Sequence, residues 1–185
     1  QADPQRLFEA FQDYTCTNLF ASPALIDKLG RYCTDQGLEL TSLRRAISAG
    51  APASSPALER FQGCLPEGVD VLTCYGATES LPVTMLGSRE ILRETRQLTD
   101  RGGGVCVGRP STGIHVRIVP IHDEPIESWS EDLALPPGET GEIVVRGAVV
   151  TPSYYKRPQA TKLAKIPAES GEAWHRMGDV GYFDE

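Results

Sequence analysis

The chain has 185 residues, of which 40% are hydrophobic, and a formal net charge of −7. That length makes one large domain or two small ones, able to bury about 70% of the unfolded surface. The acidic balance argues against a general nucleic-acid binder, no apolar run reaches the ~20 residues of a membrane span, and no signal peptide is expected.

In the first half, Asp3-Pro4, Ser22-Pro23 and Ser55-Pro56 each set an N-cap residue before a proline at the first helical position. Apolar residues follow at helical spacing: Leu7, Phe8 and Phe11; Leu25, Ile26 and Leu29; Leu58, Phe61 and Leu65. Strand-like runs at Thr17 to Ala21, Leu43 to Ser48 and Val69 to Cys74 lie between them. The alternation predicts crossover units, and therefore an α/β fold with a parallel or mixed sheet flanked by helices. Ser88 is read as the cap of a further helix, Arg89 to Leu98, with a solvated charged face.

The character changes after Asp100. Gly102-Gly103-Gly104 opens a β-rich segment with strands predicted at Val116 to Val119 and Glu142 to Val145, and an exposed acidic, proline-rich loop at Asp123 to Pro137. The expected division is an α/β nucleotide-binding portion, 1–100, followed by a β-rich continuation, 101–185.

Five cysteines, Cys16, Cys33, Cys64, Cys74 and Cys106, have no CxxC pairing. They read as reduced thiols of a cytoplasmic protein, most of them core residues. His115, His122 and His175 show no metal-ligand spacing and read as surface or satisfied core residues.

The densest chemistry is Tyr75-Gly76-Ala77-Thr78-Glu79, directly after a predicted strand. An aromatic ring offers a planar face to a base, a hydroxyl can donate to a phosphate, and a carboxylate is a hard oxygen ligand suited to Mg²⁺. Open α/β sheets bind ligands beyond the carboxyl ends of their strands, so this is read as a nucleotide site. Leu81, Val83, Met85 and Leu86 fit both a packed strand and the wall of an apolar acyl pocket.

Three further motifs share one order with that stretch: Ser48-Ala49-Gly50-Ala51-Pro52 before it, then Gly138 to Gly147, then Trp174-His175-Arg176-Met177-Gly178-Asp179. Together they resemble the adenylate-forming superfamily of acyl-CoA synthetases, luciferases and adenylation domains, along essentially the whole chain. The resemblance implies part of the large N-terminal domain of an AMP-forming acid ligase, which makes an acyl-adenylate from ATP and a carboxylic acid and releases pyrophosphate. It further implies that Gly50, Ala51 and Pro52 lie along the adenine, with Tyr75 stacked on it and Gly76 beside the nucleotide and the acyl pocket. Thr78 is expected on the phosphate, Glu79 on Mg²⁺, and Asp179 on the ribose hydroxyls, with Thr78 and Glu79 the catalytic residues. Tyr154-Tyr155 matches the usual sequence between these motifs and is expected to serve aromatic packing. Gly138 to Gly147 is expected to be a structural hairpin and strand.

Two departures stand out. Met177 replaces the frequent hydroxyl residue before Gly178-Asp179, and neither the upstream phosphate-binding loop nor the C-terminal catalytic lysine is present. The chain is therefore expected to be a central piece of a longer enzyme, inactive by itself. The stretches YGATESLPV, GGGVCVGRP and WHRMGDVGYFDE look most like the olefin-biosynthesis branch. There the adenylate of a long-chain β-hydroxy acid closes to a β-lactone, and other pathway enzymes are natural partners. An ordinary acyl-CoA synthetase using coenzyme A, a carrier-protein ligase, and a non-catalytic adenylation-like module are the alternatives. A dinucleotide-binding domain ranks last, since no GxGxxG follows the first strand.

Overall fold

A computed structural model describes residues 2–169 and 171–184; Glu185, the end of the last quoted motif, lies outside them. The chain forms two compact units, one of Gln1–Tyr75 with Thr84–Arg109, the other of Gly76–Val83 with Pro110–Glu185.

In the first unit, helices start where the Asp-Pro and Ser-Pro pairs lie. Helix α1 (Pro4–Asp13) is capped by Asp3, whose Oδ1 accepts from the N–H groups of Gln5 at 2.9 Å and Arg6 at 3.4 Å. Helix α2 (Pro23–Gln36) is capped by Ser22 and ends at Gly37 in the left-handed region, φ 63°. Helix α3 (Ser55–Gln62) begins one residue earlier than expected, with Ser54 as N-cap and Ser55 as its first residue. One face of these helices supplies Ile26, Leu29, Cys33, Leu58 and Phe61, which close over Leu40, Ala46 and Val71. Each fully buried Leu, Ile or Phe contributes about 1.5–3 kcal/mol, so this cluster is what holds the helices on the sheet.

Strands β1 (Asn18–Ala21), β2 (Arg45–Ala49) and β3 (Val71–Ala77) are parallel neighbours, with Ala46 opposite both Leu19 and Val71. Strands β4 (Ser80–Gly87) and β5 (Arg109–Pro110) follow in the order β1-β2-β3-β4-β5. The expected α/β class is therefore present, and the Leu81–Leu86 run is strand, with Val83 and Leu86 buried and Leu81 exposed.

Ser88 is a correction. It is not a cap but the first residue of a helical stretch, α4 (Ser88–Glu90), a π turn at Ile91–Thr95, and α5 (Arg96–Asp100). Its buried hydroxyl lies 2.8 Å from Gln62 Oε1 and 2.5 Å from Asp70 Oδ1, and accepts from the Val71 N–H at 3.3 Å. The cap pattern is local, whereas those partners lie 17 to 26 residues away.

The second unit carries an antiparallel sheet of β6 (Ile114–Val119), β7 (Gly141–Gly147), β8 (Lys165–Pro167) and β9 (Ala173–Gly181), in the order β6-β7-β9-β8. Helix α6 (Pro158–Ala164) leads directly into β8. Its core is Val119, Val144, Ile166 and Trp174, joined by Ile126, Trp129 and Leu133. Those last three, partly buried, come from the acidic loop expected to be exposed. The Trp129 ring stacks on Trp174 with centroids 4.3 Å apart, so apolar burial folds that loop onto the sheet despite its charges.

Candidate functional site

Thr78 and Glu79 form the two-residue turn between β3 and β4. Gly76 makes that turn possible: a Cβ there would stand 2.5 Å from the Ser80 carbonyl oxygen and 2.8 Å from Leu81 Cδ1. Thr78 is exposed and Glu79 half-buried. The Glu79 backbone carbonyl accepts from the Thr151 N–H at 2.8 Å, and its Oε1 accepts from the Tyr154 hydroxyl at 2.8 Å. Tyr154 therefore does more than pack its ring, whereas Tyr155 is 85% exposed beside the Lys156 ammonium.

Behind this carboxylate lie two buried basic side chains. Lys165 and His175 face each other across β8 and β9, and are 6% and 2% exposed. The Lys165 ammonium donates to Thr151 Oγ1 at 3.4 Å, and His175 Nδ1 lies 3.1 Å from the Ala164 carbonyl oxygen. The Tyr154 hydroxyl holds the Glu79 carboxyl below the usual carboxylate range, helped by its own backbone N–H and by the fields of His175 and Lys165. Burial pulls the Lys165 ammonium down, with Glu79 opposing that shift. Burial likewise lowers His175, and the Lys165 charge adds to the effect. The result is a carboxylate held below its usual range, hydrogen-bonded to a phenol and close to two buried basic side chains.

Asp179 lies exposed on β9 at an irregularity in the strand. Glu142 pairs with Val180 and Val144 with Arg176, so Met177, Gly178 and Asp179 together oppose Ile143 alone. A bulge re-aims side chains away from the ladder, and Gly178 adopts the φ of 72° that it requires. Arg176, at the foot of the bulge, reaches Glu142 Oε2 with Nε at 2.9 Å and Nη2 at 2.7 Å. Its Nη1 donates to the carbonyls of Glu124 at 3.0 Å and Leu163 at 3.2 Å, and Nη2 also bonds the His122 carbonyl.

In the first unit, Gly50, Ala51 and Pro52 form an exposed loop between β2 and α3, with Gly50 at φ 95°. Ala49 pairs with Cys74, so the loop leaves β2 level with the approach to Tyr75, which is half-buried on β3. Thus the structure brings Gly50, Ala51, Pro52 and Tyr75 to one strand end, and groups Glu79 with Tyr154, Lys165 and His175 in the other unit. Sequence reasoning did not single out Lys165, and read His175 as a surface or satisfied core residue, which its burial and its contact with the Ala164 carbonyl fit. Only the β8–β9 register exposes the pair.

Residues 1–155 match the family described as AMP-binding enzyme. The chain belongs to the AMP-binding enzyme family. Among curated relatives, it is 45% identical to the olefin beta-lactone synthetase of Stenotrophomonas maltophilia, over 100% of this chain and 33% of that protein. It is 42% identical to the protein of the same name from Xanthomonas campestris pv. campestris, over 99% of this chain and 33% of that protein. The solved structure of the amide bond synthetase McbA from Marinactinospora thermotolerans superposes with a TM-score of 0.75 at 26% identity, over 100% of this chain and 33% of that one. The chain spans about a third of the length of these relatives. Within the family it is an α/β sheet flanked by helices with an antiparallel sheet in addition. Among the described residues, no helix is long and apolar enough to cross a membrane.

Proposed function

We propose that the protein is an ATP-dependent, AMP-forming ligase that makes a β-lactone from a long-chain β-hydroxy acid. The observation carrying this reading is the 45% identity to an olefin beta-lactone synthetase along the full length of the chain. In the first step a carboxylate oxygen of the acid bonds to the α-phosphorus of ATP, and the bond to pyrophosphate breaks. In the second the β-hydroxyl oxygen bonds to the acyl carbon, AMP leaves, and the hydroxyl proton is lost. Positioning and charge neutralisation supply most of the catalysis in such chemistry.

In this reading Gly50, Ala51, Pro52 and Tyr75 receive the adenine, with Gly76 close to the nucleotide. Thr78 donates its hydroxyl to a phosphate oxygen, and Asp179 accepts from the ribose hydroxyls with its two oxygens. The Glu79 site suits Mg²⁺: a half-buried carboxylate held ionised is a hard oxygen ligand, and Mg²⁺ is commonly held by one or two carboxylates plus substrate phosphates. No group of three acidic, histidine or cysteine residues stands ready for a protein-only cage among the described residues. Bound there, Mg²⁺ would neutralise phosphate charge. The five free thiols support a reducing, cytoplasmic setting.

Two substitutions in the full-length protein test the residue roles. Glu79→Gln should lower Mg-ATP-dependent pyrophosphate release on the order of 10²-fold, the scale of losing a metal's charge stabilisation, with an unchanged thermal melt. An unaltered rate would remove the metal role. Asp179→Ala should raise the KM for ATP by about 10-fold or more, the scale of a hydrogen bond to a charged group. Unchanged nucleotide affinity would count against the ribose contact.

The reaction itself is tested with Mg-ATP and a long-chain β-hydroxy acid, with and without coenzyme A. A β-lactone formed without coenzyme A supports the reading. A thioester appearing only with coenzyme A would make the protein an acyl-CoA synthetase, and no pyrophosphate in either case would mean a non-catalytic adenylation-like module.

A further inference from the structure

We infer that Tyr154 is a positioning residue for Glu79, and that its hydroxyl fixes the carboxylate in the orientation in which it takes a divalent cation. The inference rests on the proposed metal role of Glu79 and adds the residue that makes this carboxylate a fit ligand.

The geometry is specific. The two residues stand 75 apart in sequence, yet the Tyr154 hydroxyl donates to Glu79 Oε1 at 2.8 Å in a half-buried setting. A phenol to carboxylate hydrogen bond is charge-assisted and fixes one oxygen, leaving the other to be directed. Tyr154 is itself held from both sides of its peptide. Its N–H donates to Thr161 Oγ1 at 3.0 Å, on α6, and its carbonyl accepts from the Arg157 N–H at 3.3 Å. The turn between them needs Lys156 at φ 53°, an uncommon conformation for a side chain-bearing residue. Three residues before Tyr154, the Thr151 N–H holds the Glu79 backbone carbonyl at 2.8 Å. One short segment thus grips Glu79 by main chain and by side chain. A flexible glutamate in a two-residue turn would otherwise sample several rotamers, and each would have to be lost when the cation binds. Groups that orient a ligating carboxylate in this way commonly govern metal affinity.

The test is Tyr154→Phe in the full-length protein, which removes one oxygen and keeps the ring. The main readout is Mn²⁺ affinity, measured by electron paramagnetic resonance with a non-hydrolysable ATP analogue bound. The expected result is Mn²⁺ binding weakened by about 10-fold or more, with the thermal melt unmoved. Added to Glu79→Gln, the same change should have no further effect, because the tyrosine acts through that carboxylate. Wild-type Mn²⁺ affinity in Tyr154→Phe, with Glu79→Gln impaired, would overturn the inference and leave the metal role of Glu79 standing. An equal loss in both backgrounds would overturn it too, since the hydroxyl would then act elsewhere. A lost cooperative melt in Tyr154→Phe would assign the tyrosine a structural role instead. Unchanged Mn²⁺ affinity in Glu79→Gln would remove the metal reading itself, and this inference with it.

Discussion

Glu142→Ala is expected to destabilise the protein by about 3–5 kcal/mol, the range seen when one partner of a buried ion pair is removed. The Arg176 and Glu142 side chains are 8% and 10% exposed, so neither partner can fall back on water once the other is gone. The guanidinium also has three backbone carbonyls to hold, those of His122, Glu124 and Leu163, which ties the start of the acidic loop and the end of α6 to β9. Glu142 and Arg176 sit at the two feet of the bulge that carries Asp179. On the proposed ribose role of Asp179, the loss should also raise the KM for ATP beyond what the melt alone would explain. Replacing both residues by Met removes the uncompensated charge, and should cost less stability than Glu142→Ala alone. Denaturant melts of the single and double variants check the first claim. A single variant as stable as the wild type would mean that the pair is solvated in solution.

Trp174→Ala should cost about 3–5 kcal/mol, and lower the melting temperature by roughly 6–20 °C at 2–4 °C per kcal/mol. Trp174 is fully buried, stacks on Trp129, and has the Arg146 guanidinium 4.9 Å from its ring centroid. Truncation leaves a cavity beside Val119, Val144 and Ile166, side chains too short to reach across the space of an indole. The stacked Trp129 would lose its platform, so the acidic loop should become more accessible to protease at the same time. A melt within a degree or two of wild type would show that the loop and sheet repack around the gap.

The candidate site was partly legible in the sequence because its pieces are local. Tyr75 to Glu79 is one strand end and one turn, and Gly76 is there because a carbonyl passes where a side chain would be. Gly178-Asp179 could be noticed as a pair, but its bulge could not, since only the β7 register shows three residues opposing one. Ser88 shows the opposite failure. A serine before a charged helix carries the pattern of a cap, yet its hydroxyl is buried against Asp70 and Gln62, residues no local pattern connects to it.

By itself the sequence determined the class of the fold, through Asp3-Pro4 and Ser22-Pro23 before helical periodicity and through short apolar runs between helices. Those signals are backbone preferences and apolar spacing, which act over a few residues. It also determined the family, through motifs that each occupy a handful of consecutive positions. Tertiary structure alone decided which side chains surround Glu79. Tyr154, Lys165 and His175 lie 75 to 96 residues further along the chain, and β8–β9 pairing with the turn before α6 delivers them. Contacts of that range depend on strand register and on the burial that makes a lysine, a histidine and a glutamate share one environment, and neither is written in any short stretch of the chain.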